Sequence, residues 1–137
     1  MDVNGMITAH FSWKEALYLP SWSRMADASD GLNQEVEDNL KKVFAVLEEI
    51  RATYDKSIIV HCAYRPSAYN VQIGGALRSA HTEGKAIDFH VDGVDCDTVR
   101  AKLEPQLDKL GIRMEKLNHS MWVHIDIRQS QPRYFIP

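Results

Sequence analysis

The sequence predicts an α+β fold: a small, mainly antiparallel sheet with helices packed on one face and a polar face left open on the other. Three observations lead there. Apolar residues recur at helical spacing over about 33–54 and again within 95–111. Four short segments, "SIIVHCAY", "AIDFHV", "IRMEKL" and "MWVHIDI", have the β-branched content or the alternation of strands. The resulting order is helices, strand, strand, helix, strand, strand, which favours helices gathered on one side of an antiparallel sheet.

The elements follow in chain order. "FSWKEALYLP" reads as a short helix stopped by Pro20, and "SWSRMADASDGLN" as a loop of small and polar residues. Val36, Leu40, Val43, Phe44, Leu47, Ile50 and Tyr54 make the apolar stripe of a long helix over about 33–54. Asn33 is its N-cap, and Glu35, Glu37 and Asp38 place negative charge at its positive end. "SIIVHCAY" is the first strand, and "RPSAYNVQIGGA" a loop with room for one short helical stretch. "AIDFHV" is the second strand. "DCDTVRAKLEPQLDKLG" is a second helix with Val99, Leu103, Leu107 and Leu110 as its stripe. Pro105 is expected to kink it, and Gly111 ends it. "IRMEKL" and "MWVHIDI" complete the sheet, and the tail "RQSQPRYFIP" is read as irregular.

Bulk properties narrow the function classes. A chain of 137 residues suits one domain spanning 1–137 around one core. Apolar residues at 45% and charged residues at 26% fit a globular protein, and a net charge of −3 offers no basic stripe for nucleic acid. No apolar run reaches the length needed to span a membrane, so no membrane insertion is expected. "MDVNGMITAHFSW" lacks the basic and apolar regions of a secretory leader, which leads to an expectation of synthesis in the cytoplasm. Cys62 and Cys96 form no CxxC pair and are read as free thiols.

The chemistry concentrates in "RSAHTEGKAIDFHV", residues 78–91. Alternation along "AIDFHV" sends Ile87, Phe89 and Val91 to one face and Asp88 and His90 to the other. Alternation along "MWVHIDI" separates Val123, Ile125 and Ile127 from Trp122, His124 and Asp126. If the two strands are neighbours, Asp88 and His124 meet on the polar face, and Gly84 lets His81 return toward them. Two histidines and one carboxylate are a catalytic zinc set that keeps one position for water and lowers the pKa of that water to about 7. The competing reading is structural: His81 and Asp88 cap a turn, and His124 is a half-buried strand residue. His90 is ranked as a supporting or structural residue, and His10 and His61 find no partner in the sequence.

The order Ser79-x-His81-x-x-Gly84-x-Ala86-x-Asp88, followed by Trp122-Val123-His124, resembles the M15 zinc peptidases. These comprise the D-Ala-D-Ala carboxypeptidases and the phage endolysin peptidases of bacterial cell-wall peptides. "AYRPSAYNVQIGGALRSAH" is similar to the family's stretch between its arginine and first histidine, and the similarity is clearest over about 57–127. "FSWKEAL" and the helix after it look like the carboxypeptidase-like branch. The resemblance implies a hedgehog/DD-peptidase-like fold with a metal cleft on the open face. It implies His81, Asp88 and His124 as ligands of Zn2+, and Arg65, sixteen residues before His81, as the group that docks substrate. It also places His119 beside the metal.

One position departs from the family pattern. Many members carry an acidic general base three residues before the last zinc histidine, where this chain has Met121. A thioether takes no proton at neutral pH, so His119 becomes the first candidate for the base, ahead of Glu83 and Glu115. Ser79, Trp122, Tyr64 and Tyr69 are candidates for shaping the pocket, and Asp126 for orienting a neighbouring histidine. The implied substrate is the stem peptide of peptidoglycan, cut by a carboxypeptidase or an endopeptidase at the bacterial cell wall, as in a phage lysis or tail-associated enzyme. No nucleic acid and no protein partner is expected. The runner-up is a metal-containing module that binds wall peptides or a partner protein with little turnover, and a hydrolase of another small peptide is a third reading.

Overall fold

Asn33 accepts a hydrogen bond from Val36 N–H and starts the longest helix, α2 (Gln34–Tyr54), in a computed structural model that describes residues 1–137. Glu35 and Glu37 lie in its first turn and Arg51 in its last, matching the helix dipole at both ends. Its buried stripe is Val36, Leu40, Val43, Phe44, Leu47 and Ile50. Before it comes α1 (Trp13–Leu17), opened by a capping box in which Ser12 and Glu15 bond each other's backbone N–H. The loop expected between them contains a small antiparallel ribbon, β1 (Tyr18–Leu19) with β2 (Arg24–Met25). Two-residue strands leave too little alternation in the sequence to detect.

The main sheet has five strands: β3 (Ile58–Cys62), β4 (Ala86–Val91), β5 (Arg113–Glu115), β6 (Val123–Asp126) and β7 (Tyr134–Phe135). Their spatial order is β3-β4-β6-β5-β7, antiparallel throughout except for the parallel β5–β7 pair. The tail read as irregular therefore supplies an edge strand. Tyr134 and Phe135 stand opposite Met114 and Glu115, a pairing that depends on β5 being in place and has no local signature. Between β3 and β4 lies α3 (Ser67–Gln72), the short helical stretch allowed for in that loop. After β4, Asp95 caps α4 (Cys96–Leu103). The expected second helix is divided: the turn Glu104–Gln106 tightens to a 3-10 geometry before α5 (Leu107–Leu110) resumes. Pro105 has no N–H to give to the α-helical ladder, so the break falls there.

Phe44, Leu47, Ile87, Phe89, Val99, Leu103, Met114, Val123 and Ile125 are among 28 buried apolar residues in one cluster, which joins the helices to one face of the sheet. At roughly 25 cal/mol per Å2, each fully buried Leu or Phe contributes about 2 kcal/mol of gross transfer free energy, so this face fixes the sheet's orientation. The opposite face is left for polar side chains.

Candidate metal centre

Three elements bring three donor atoms together. Asp88 and His124 are directly paired residues on β4 and β6, so the ladder places both side chains on the polar face. His81 comes from the 3-10 turn Ala80–Glu83, where Ser79 Oγ accepts its N–H. The turn closes at Gly84, with φ of +72°, whose N–H returns to the His81 carbonyl. A Cβ at Gly84 would lie 2.9 Å from both Cγ1 and the carbonyl oxygen of Val36, so only glycine lets the turn seat against α2. One ligand atom from each of His81, Asp88 and His124 lies within 4.8 Å of the other two.

The far side of each imidazole is held. His81 Nδ1 is 2.7 Å from the Ala63 carbonyl. A carbonyl only accepts, so Nδ1 carries hydrogen, and Nε2 of the neutral ring turns a lone pair toward Asp88 Oδ1 at 3.1 Å. His124 Nε2 is 3.1 Å from Asp126 Oδ2, and Asp126 also accepts two hydrogen bonds from Arg113 at 2.9 and 3.0 Å. His124 Nδ1 is then the free nitrogen, 2.9 Å from the same Asp88 Oδ1. Two imidazole nitrogens and a carboxylate oxygen converge on one point, where either a proton or a metal cation can bridge them. This donor set, with an oxygen partner behind each histidine, fits a divalent transition metal such as zinc.

The site's own charges favour positive charge at that point. Burial alone would raise the Asp88 pKa, but the charges and hydrogen bonds of His81 and His124 outweigh it and hold the carboxyl well below its usual range. Burial opposes the charged form of His124, yet its bonds to Asp126 and Asp88 raise its pKa to about 9. Cys62 stands opposite Asp88 on β3, but burial pushes its thiol up to about 12, so it offers no thiolate.

A cleft of about 370 Å3 opens over the three residues. Arg65, Arg78, Glu115, Trp122, Arg128 and Phe135 form much of its wall. Arg65 donates from Nη2 to Ser79 Oγ at 3.1 Å, while its Nε is buried with no partner. Glu115 stands opposite His124 in register, since Met114 pairs with Ile125, and its Oε1 lies 3.7 Å from His124 Nε2. Burial raises its pKa above that of an ordinary glutamate. Phe135 packs edge-on to the His124 ring and under the Arg113 guanidinium.

The structure does not bring His119 to this cleft. Its side chain is 93% exposed, and Nδ1 faces Asp97 at 3.6 Å. The cause is the buried Arg100, which bonds Asp97, Ser120 Oγ and the Trp122 carbonyl and draws this turn toward α4. His119 itself has φ of +59°. Met121 is 76% exposed and also lies outside the cleft lining. Glu83 is occupied by Arg128 and Lys85. His10 pairs with Glu48 at a distance from the site, and Tyr64 and Tyr69 are buried in the core. His61 and His90, assigned no shared role from the sequence, touch each other. Register is the only signal that separates Glu115 from the other acidic residues, and it requires knowing that β5 neighbours β6.

Comparison with known families agrees with this architecture: a family model described as Peptidase M15 matches residues 11–126, from the residue before the α1 cap to the end of β6. No curated protein matches the sequence.

Proposed function

The chain belongs to the Peptidase M15 family, and from that premise we propose that it is a zinc-dependent peptidase that hydrolyses the stem peptides of bacterial peptidoglycan, with His81, Asp88 and His124 holding the metal. The convergence of their three ligand atoms within 4.8 Å carries this reading. When bound there, zinc supplies Lewis acidity toward the scissile carbonyl and toward water.

The other steps belong to side chains. Glu115 is the general base in place of His119: its carboxylate borders the cleft, makes no hydrogen bond to the protein, and lies beside His124. It takes the proton of the attacking water and returns it to the leaving amine. Arg65 presents its guanidinium to the C-terminal carboxylate of the substrate, and its place in the wall of the cleft supports that role. Asp126, gripped by Arg113, keeps His124 in the tautomer with a free Nδ1. Docking of a free carboxylate favours removal of a terminal D-Ala, and such a substrate sets the bacterial cell wall as the place of action.

Incubation with zinc and purified muropeptides, read by mass spectrometry, tests this. The expected product is a stem peptide shorter by one terminal D-Ala. Fragments cut inside the stem would reassign the enzyme as an endopeptidase, and unchanged peptides with zinc bound would sink the proposal in favour of a binding module.

A further inference from the structure

Outside the cleft, two imidazoles meet on the outer side of β3 and β4. His90 shares a face with Asp88 by alternation along β4. His61 sits where the ladder slips: Val60 pairs with Phe89 and Cys62 with Asp88, leaving His61 as the extra residue of a bulge. The slip turns its side chain toward His90, with His61 Nε2 2.6 Å from His90 Nδ1 and ring centroids 4.8 Å apart. This is the only hydrogen bond that either ring makes to the protein. Each ring is held by the protein at that one nitrogen, and His61 is exposed to solvent. It borders a separate depression of about 320 Å3, with Cys96 and Met121 on its rim and no residue shared with the cleft.

The geometry points to a second metal site, in which His61 and His90 chelate an imidazole-preferring divalent transition ion outside the catalytic cleft. Two strands locked by a ladder fix the separation of the rings in advance, so little order is lost on binding. Asp95 is committed to capping α4 through Thr98, and burial keeps the Cys96 thiol protonated. The donors are therefore two neutral nitrogens, with water completing the shell. That set selects copper, nickel or zinc over calcium and magnesium. Bonds of about 2.0–2.1 Å at a tetrahedral angle hold two nitrogens ~3.3 Å apart. Rotation of the exposed His61 ring supplies the small opening required. With two neutral ligands and no carboxylate, this site fills at higher metal concentration than the triad.

Calorimetric titration of the metal-free full chain with Zn2+, repeated with Ni2+, tests the site. Wild-type protein is expected to take two equivalents, the second more weakly. His61→Gln should keep the first and weaken the second by at least about tenfold, and His90→Gln should do the same, with unchanged circular dichroism. A second equivalent that persists in the double variant overturns the proposal. If wild-type protein takes one equivalent only, His61→Gln decides between the sites. Loss of that equivalent leaves this site standing and removes the triad; its retention overturns this site and leaves the triad.

Discussion

His124 Nε2 lies 3.1 Å from Asp126 Oδ2, on a carboxylate that is fully buried and held by two hydrogen bonds from Arg113. The two residues are i and i+2 on β6, so the strand itself presents the imidazole and its support on one face. Asp126→Asn keeps the shape but weakens the acceptor. Metal affinity should fall about 10–100-fold, as measured by competition with a chromophoric chelator. Unchanged affinity would mean that the strand alone orients the ring.

Glu115→Gln should lower kcat by about 10²–10⁴ while metal content stays at the wild-type level. His119→Ala should leave kcat near wild type, since that side chain lies in solvent against Asp97. The reverse pattern in the same muropeptide assay would return the base to His119.

Arg65→Ala should raise KM for peptides with a free C-terminal carboxylate by roughly 10–100-fold, from the 1.5–3 kcal/mol of a charge-assisted hydrogen bond. C-terminally amidated peptides should be affected much less. An equal loss on both substrates would show that Arg65 serves the cleft's structure instead, through Ser79.

Gly84→Ala should destabilise the fold by about 2 kcal/mol or more, since it adds a methyl group at positive φ and drives it into α2. Metal binding should weaken as well, because the same turn carries His81. Urea unfolding together with a metal titration reads both effects, and a loss of stability with intact affinity would separate the turn from the site.

Removing the metal should make stability depend on pH in a defined direction. The folded-state pKa of His124 is about 9: burial opposes the charged ring, but the Asp126 and Asp88 bonds outweigh it. In the unfolded chain the value is about 6.5. The folded protein then binds this proton more tightly, so the contribution is complete below about pH 6.5 and is lost as pH rises through the folded value. At ~1.4 kcal/mol per pKa unit the loss is of order 3 kcal/mol. Urea midpoints of chelated protein should decline between about pH 6.5 and 9, while metal-loaded protein, with a cation already at that nitrogen, should show little change. A flat or rising profile for the chelated protein would contradict the assigned hydrogen bonds.

Much of the site was legible before any fold was known, for a local reason. Successive side chains of a strand point to opposite sides, so "AIDFHV" and "MWVHIDI" by themselves separate Asp88, His124 and Asp126 from the apolar residues beside them. The stripe of α2 and its Asn33 cap are equally local, because helical spacing and capping act within one or two turns. The small β1–β2 ribbon and the edge strand β7 show where short elements leave weak traces, whereas the kink expected at Pro105 is present as a 3-10 turn.

The amino-acid order alone determined which side chains share a face, where the long helix begins, and that His81, Asp88 and His124 are of the types a metal needs. The tertiary structure decided which strands lie side by side. It thereby set Glu115 against His124, sent His119 out toward Asp97, and joined His61 to His90. The division has one physical cause: backbone geometry fixes directions over a few residues, whereas pairing across a sheet is chosen by the packing of the whole core.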